Sequence, residues 1–329
     1  MIEEGASDIQ RRLAPLRPGT RCLVTGATGH VGVHLVRALL RAGAEVVALA
    51  RPDTDLSRLP SGATAVIARP LDRDALATSI AATAPEVLFH LAWLGVRRET
   101  LDDPRQITQN VPHTLFVVEA ALRAGARAVV GLGSQEEYGR TSGVLDELAE
   151  LRPTDAYGRA KQCAGALTLD LARTFGTRAA WLRLFISYGP LENASRLIPS
   201  VTRALLLGEP LALTDGPQRR DYLFVEDVAE ALLASAASDA SGVYNLGSGS
   251  SRSVRSVVED LRSILAPERE LTFGALASQA RDQTPVLEAD ARRFRAATGW
   301  APRTSMREGL EKTVAWHRAD LGLMPIEPR

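Results

Sequence analysis

Two cysteines among 329 residues are too few for a disulfide framework. Cys22 falls in a strand-like run and Cys163 in a helical one, a separation that also rules out a local metal-binding spacing. Both are expected to be core thiols in a reducing compartment, and no metal site is expected. Net charge is absent too: 39 Lys plus Arg balance 39 Asp plus Glu, leaving no global field to attract nucleic acid or an anionic membrane. No apolar run reaches the roughly 20 residues that cross a bilayer, and the charged first twenty residues lack the apolar segment of a signal peptide. A cytoplasmic protein acting on a small molecule is the expectation, with residues 1–19 as an accessory arm. There is no internal repeat or low-complexity tract, and the chain can build one large domain or two modest ones.

What the chain does have is Leu23-Val24-Thr25-Gly26-Ala27-Thr28-Gly29-His30-Val31-Gly32, an apolar run, three glycines spaced by three, and then the helical pattern Val33, Leu35, Val36, Leu39, Leu40. In a strand-turn-helix unit, Gly26 turns the backbone tightly, Gly29 lets it approach a pyrophosphate, and Gly32 lets helix and strand pack closely. This is a dinucleotide-binding pattern. Strand-like runs recur at 45–50, 64–68, 86–91, 128–132 and 178–185, with helical patterns at 73–83, 104–124 and 157–175. Such alternation predicts an α/β fold, a doubly wound parallel sheet covered by helices on both faces, over residues 20–185. Residues 186–329 read as a smaller lobe, of which 222–246 is expected to return to the first domain, and ligands are expected in the cleft between the two.

The second strand ends Ala50-Arg51. NAD-binding versions place an acid there for the ribose hydroxyls, whereas arginine suits a 2′-phosphate, so NADP(H) is favoured over NAD(H). The other reading makes Arg51 a solvated surface residue and gives the carboxylate role to Asp53. Tyr157 and Lys161 stand four apart at a helix start, on one face. A neighbouring cation would bring a phenol of ordinary pKa about 10 closer to neutrality. Ser134, at the carboxyl end of the fifth strand, supplies a third polar group.

With these residues in view, the chain resembles an extended short-chain dehydrogenase/reductase of the NAD-dependent epimerase/dehydratase family, with a Rossmann-type first domain. The matches include the glycine turn, Leu88-Phe89-His90-Leu91-Ala92, Asn110, Gly133-Ser134-Gln135-Glu136-Glu137-Tyr138-Gly139, Tyr157 with Lys161, Arg219-Arg220-Asp221-Tyr222-Leu223-Phe224-Val225-Glu226-Asp227-Val228, Val243-Tyr244-Asn245-Leu246-Gly247-Ser248-Gly249, and Gly299-Trp300-Ala301-Pro302-Arg303-Thr304-Ser305. The resemblance implies that Ser134 hydrogen-bonds the substrate oxygen, Tyr157 transfers its proton, and Lys161 binds the nicotinamide ribose and holds the tyrosine's pKa down. It also implies cofactor contacts from Gly26, Thr28, Gly29, His30, Val31, Gly32, Arg51, Leu91, Ala92 and Asn110. For a nucleotide-diphosphate sugar it implies contacts from Arg220 and Arg281, because a guanidinium can pair two phosphate oxygens at once. Trp93, Gln135 and Glu136 are the remaining candidates for the sugar pocket, although Trp93 can equally be core packing. Ile186 stands where many relatives have a phosphate-contacting asparagine, a role that Ser187, Asn193 or a backbone amide would have to assume. A homodimer built on the 104–124 and 157–175 helices is the family expectation, against burial within one subunit.

Three chemistries share this scaffold. The dehydratases of dTDP-glucose place an Asp-Glu pair after the serine/threonine position. Here the pair is Gln135-Glu136, and Gln135 cannot ionise, although Glu136 keeps dehydration open. A 4-epimerase retains its cofactor as NAD+, whereas Ala50-Arg51 suits exchangeable NADPH. The expectation, from the cofactor pattern, Gln135 and resemblance to a reductase subgroup, is therefore reduction of the C4 ketone of an NDP-4-keto-6-deoxyhexose, expected to be dTDP-linked, with 4-epimerase and 4,6-dehydratase as alternatives. A non-catalytic NADP-binding protein is the reading from another class.

Overall fold

The computed structural model describes residues 16–277 and 284–323, so most of the expected arm lies outside the described residues. Seven parallel strands form the main sheet: β1 (Arg21–Thr25), β2 (Glu45–Ala50), β3 (Thr64–Ile67), β4 (Val87–His90), β5 (Ala128–Ser134), β7 (Arg178–Leu184) and β10 (Gly242–Leu246), in the order β10-β7-β5-β4-β1-β2-β3. Winding proceeds outward from β1 to β3, then restarts at β4 on the other side of β1. That reversal parts the loops above β1 and β4 and creates a crevice at the strands' carboxyl ends.

The strands are almost wholly apolar because both faces are covered. On one face α1 (His30–Arg41) and α6 (Val225–Ala237) pack Val36, Leu39, Val228 and Leu232 against Val24 and Phe89. On the other, α2 (Arg73–Thr83) and α3 (Val111–Arg123), with α4 (Ala156–Thr174) beside them, bury Leu76, Ile80, Val117 and Ala172 against Leu23 and Leu88. Each fully buried aliphatic side chain of this kind contributes about 1.5–3 kcal/mol.

The smaller lobe has its own sheet, β11 (Ser251–Ser253), β9 (Arg219–Phe224), β12 (Val286–Ala289) and β6 (Gly143–Leu145) in that order, with β8 (Ile186–Tyr188) alongside β9. Helices α5 (Leu197–Leu207), α7 (Val254–Leu265) and α9 (Met306–Asp320) close a separate core around Tyr188, Val201, Phe224, Val258 and Leu310. A short helix, α8 (Arg292–Thr298), lies by β10 and inserts Phe294 into the main core. Thus β10 joins the main sheet while β9 stays in the smaller one, and β6 crosses from the first half of the chain to the second sheet.

Two expectations need correction. Residues 104–124 are not one α-helix: Gln106–Asn110 forms a wider π turn before α3 begins at Val111, with Pro112 at its start. The missing proline N–H frees the preceding turn, and the wide turn directs Gln106 and Asn110 toward the loop after β4. Cys22 is buried, as the strand pattern predicts, but Cys163 is exposed, because α4 buries Ala160, Lys161 and Ala164 and turns residue 163 outward.

Candidate active site

A cleft of about 740 Å³ opens above β1, β2 and β4, lined by Gly26, Ala27, Thr28, Gly29, Ala50, Arg51, Asp53, Arg69, Ala92, Trp93, Leu94, Asn110 and others. Its floor depends on glycine. Gly26 has φ +72°, and a Cβ there would lie 2.9 Å from the Ala92 nitrogen; a Cβ on Gly32 would lie 2.0 Å from the Gly26 carbonyl oxygen. Helix and strand are thereby held at backbone contact, with the start of α1 facing the cleft. Thr25 fastens the opposite wall: its Oγ1 accepts from the Leu91 and Ala92 N–H groups at 3.1 and 3.0 Å and lies 3.1 Å from His90 Nδ1. Asn110 does likewise, accepting from Leu94 N–H at 2.9 Å and donating to the Leu94 carbonyl at 3.0 Å. Leu91, Ala92 and Asn110 thus shape the wall through backbone hydrogen bonds.

His30 is turned elsewhere. Its Nδ1 is 3.0 Å from the Pro190 carbonyl and its Nε2 is buried without a partner. Burial, with help from His34, pushes its pKa down to about 3. Val31 packs against the core, and neither it, Gly32 nor His30 lines the cleft. Arg51 and Asp53, the two rival residues for the ribose, form an ion pair at 3.6 Å on the rim.

Tyr157, Lys161 and Ser134 converge beside this cleft. Asp155 caps α4 by accepting from Gly158 N–H at 2.7 Å, and the absence of a side chain on Gly158 lets the helix start lie against Glu136, whose carbonyl oxygen would be 2.4 Å from a Cβ. The first turn of α4 therefore abuts the end of β5 and brings the Tyr157 phenol near enough to the Ser134 hydroxyl for that hydroxyl to favour the ionised phenol. Trp93 stands edge-on to Tyr157 at 6.0 Å between ring centroids, and lies over the Lys161 ammonium at 3.9 Å. Its indole N–H donates to Gln106 at 2.7 Å.

The electrostatics differ from the sequence expectation. Burial pushes the Tyr157 phenol up to about 12, against the lowering effect of the Ser134 hydroxyl. Burial also pulls the Lys161 ammonium down to about 7, with Glu137 opposing. Lys161 does not lower its neighbour because Nζ donates to the Leu132 carbonyl at 2.6 Å and sits 6.0 Å from the tyrosine ring. Desolvation of the phenolate outweighs so indirect a cation.

The substrate candidates are dispersed. Gln135, next to Ser134 in the chain, has a buried Oε1 without a hydrogen-bond partner, a polar orphan of the kind a ligand hydroxyl would satisfy. Glu136 donates its backbone N–H to Ser134 Oγ at 3.2 Å. Ser187 is half-buried in β8, and the exposed Asn193 accepts from Ser195 within its own loop. Arg220 donates to the Arg219 and Thr284 carbonyls at 2.9 and 2.8 Å, while Arg281 lies outside the described residues. Among the described residues no group of three or more His, Cys, Asp or Glu is placed to hold a metal ion, and no helix is long and apolar enough to cross a membrane.

Sequence reasoning missed Glu137, Trp181 and Arg183, which lie directly behind this group, and Glu192, whose carboxyl is pushed up to about 8 by burial. Arg183 could have been found, since a charge within the apolar run of β7 must have a buried partner.

The doubly wound sheet and its glycine-floored cleft define a nicotinamide-dinucleotide-dependent enzyme class. The NAD dependent epimerase/dehydratase family matches residues 22–247, and the chain belongs to that family. The UDP-glucose 4-epimerase of Mycolicibacterium smegmatis is 31% identical over 320 residues, covering 91% of this chain and 98% of its own length. The dTDP-glucose 4,6-dehydratase of Streptomyces griseus is 28% identical, covering 91% of this chain and 94% of its own. Among solved structures, MoeE5 in complex with UDP-glucuronic acid and NAD superposes with a TM-score of 0.78 at 33% identity, and the Thermotoga maritima UDP-glucose 4-epimerase with UDP-glucose with 0.85 at 25%; each match covers 91% of this chain and 99% of the other.

Proposed function

We propose that this protein interconverts nucleotide-diphosphate hexoses at C4, acting as an NDP-sugar 4-epimerase. The observation that carries this is the juxtaposition of Ser134 and Tyr157 beside the cleft, with Lys161 one turn along. The residues fit a nicotinamide dinucleotide: a backbone-lined turn at Gly26–Gly29, Arg51 and Asp53 at the ribose end, and at the other Trp93, which lies against Lys161. Such a cofactor, when bound, supplies the hydride acceptor and donor. Ser134 orients the C4 oxygen, and Tyr157 acts as phenolate base on oxidation and phenol acid on reduction, exchanging its proton with that oxygen, with Lys161 one turn along against Trp93. Trp93 and Gln135 bound the sugar, and the Arg220 side of the smaller lobe faces its diphosphate.

Dehydration is less favoured because Gln135 stands where the dTDP-glucose dehydratases place an acid, leaving Glu136 alone to supply one. Epimerisation is supported by Asp53, which sits in the cleft to meet ribose hydroxyls, and by the likeness to 4-epimerases. A second reading, NADPH-dependent reduction of an NDP-4-keto-6-deoxyhexose, is favoured by a specific observation: Arg51 and Arg69 both line the ribose end, as a 2′-phosphate would require. The exposed Leu167 on α4 and Ile107 beside α3 support pairing of two subunits through these helices.

Purified protein incubated with UDP-glucose or UDP-glucuronic acid and NAD+ is expected to yield the C4 epimer without net reduced cofactor. Consumption of NADPH with a dTDP-4-keto-6-deoxyhexose, and no epimer, would replace this reading with the second. Neither activity would remove both.

A further inference from the structure

Behind the Ser134–Tyr157–Lys161 group lies a buried charged layer. Glu137 Oε1 accepts from the Ser134 backbone N–H at 3.0 Å and the Trp181 indole N–H at 2.9 Å, while Oε2 accepts from Arg183 Nε at 2.8 Å. Arg183 also donates to the Tyr138 hydroxyl at 3.0 Å, which donates to Asn245 at 2.7 Å. The Glu137 and Arg183 side chains are 1% and 6% exposed, so this pair is desolvated and must be held by its geometry. Three glycines make the space. A Cβ on Gly131, Gly133 or Gly165 would come within 2.4–2.6 Å of the Trp181 ring, and one on Gly133 within 2.6 Å of Glu137 Oε1.

We propose that Glu137 is a positioning residue for the proposed reaction: its carboxylate fixes Ser134 through the backbone N–H and fixes the Trp181 ring, whose centroid lies 5.7 Å from Lys161 Nζ, while Arg183 holds the carboxylate in register. The inference rests on Ser134 and Lys161 serving in the C4 chemistry above. The ionisable groups facing Lys161 are few. Tyr157 is one turn earlier on α4, His90 ends β4 and is held neutral by burial, and Glu137 follows β5 with Arg183 behind it. The other neighbours, the Trp93 and Trp181 rings and the Leu132 carbonyl, carry no net charge. Glu137 is therefore the anion that favours the ammonium. Removing its charge lowers the Lys161 titration midpoint, and at neutral pH more of the side chain becomes an uncharged amine.

The chain contains two lysines, Lys161 and Lys312, so protein labelled with 13C at the lysine ε carbon gives two resonances whose titrations are separable by NMR. In Glu137→Gln the Lys161 midpoint is expected to fall by about one pH unit with Lys312 unmoved, and Glu137→Asp to recover part of the shift. The double variant Glu137→Gln/Arg183→Met removes both charges without stranding a buried guanidinium and is expected to show the same downward displacement. Where turnover on an NDP-sugar is measurable, the alkaline limb of its pH profile moves down in parallel and kcat falls more than KM changes. A folded variant of either kind whose Lys161 midpoint matches wild type would overturn the proposal. The NMR shift without turnover on any nucleotide sugar would instead count against the proposed function alone.

Discussion

The glycine turn after β1 and the Arg219–Phe224 strand are both conspicuous in the sequence, but they do opposite work. The first leaves space: Gly26, Gly29 and Gly32 clear a floor on which the backbone itself faces the cleft. The second fills it. Asp221 accepts from Ser248 N–H at 2.7 Å and its hydroxyl at 2.6 Å through one oxygen, and from Gly249 and Ala289 N–H at 2.9 and 3.0 Å through the other. Asp227 similarly receives the Arg303 and Thr304 N–H groups at 3.2 and 3.0 Å. A motif seen in a sequence can thus mark a place where a ligand is met or a place where distant loops are tied, and only the surroundings of its side chains tell which.

Substitutions should separate the two kinds of region by what they damage. The largest effect is expected at the knot: Asp221→Ala removes the shared acceptor of four donors, of which the Ala289 N–H is buried, and should cost about 3 kcal/mol of stability, read as a lowered denaturant midpoint, with cofactor affinity of the folded fraction little changed. At the cleft, Tyr157→Phe should reduce turnover about 100-fold or more, about 2.7 kcal/mol in barrier, at unchanged thermal midpoint. A large loss of stability in that variant would erase the contrast.

Acid sharpens it in another way. All five histidines have pKa values lowered chiefly by burial, and four of them, His30, His34, His90 and His113, lie in the half of the molecule that surrounds the cleft. A histidine kept neutral in the fold costs nothing above its unfolded pKa of about 6.5. Below that value the unfolded chain binds a proton that the folded one refuses, so stability falls with pH. His30, at about 3 in the fold, should alone remove about 1.4 kcal/mol by pH 5.5, and His90 acts in the same direction. Chemical denaturation at pH 7 and 5.5 measures this, and His30→Gln should flatten the dependence. The smallest effect is expected at the rim, where Arg51→Ala should weaken NADP+ binding by about 1 kcal/mol relative to NAD+ if a 2′-phosphate is met there. An unchanged ratio of the two dissociation constants would leave Asp53 as the residue that meets the ribose.

The sequence made the main sheet legible because each buried parallel strand is a short apolar run followed by a helical period, a local signal. Gly26, at the junction of such a run and its helix, could be read for the same reason, whereas Ser134, Tyr157 and Lys161 became candidates through spacing joined to the family resemblance. The pairing of β6 with β12 could not be anticipated, since it joins three-residue and four-residue strands more than 140 positions apart. Glu137 was hidden inside a polar segment, where nothing local distinguishes a carboxylate turned inward from Glu136 beside it. The direction of the Tyr157 shift was misjudged because spacing along a helix reports a neighbouring cation but not the loss of water around both groups.

Trp93, placed over Lys161 and edge-on to Tyr157, has an optical consequence. Reduced nicotinamide absorbs where indole emits, so a reduced dinucleotide seated in the cleft would quench this side chain's fluorescence by energy transfer. The protein thereby contains its own reporter of occupancy, readable by titration before any substrate has been identified.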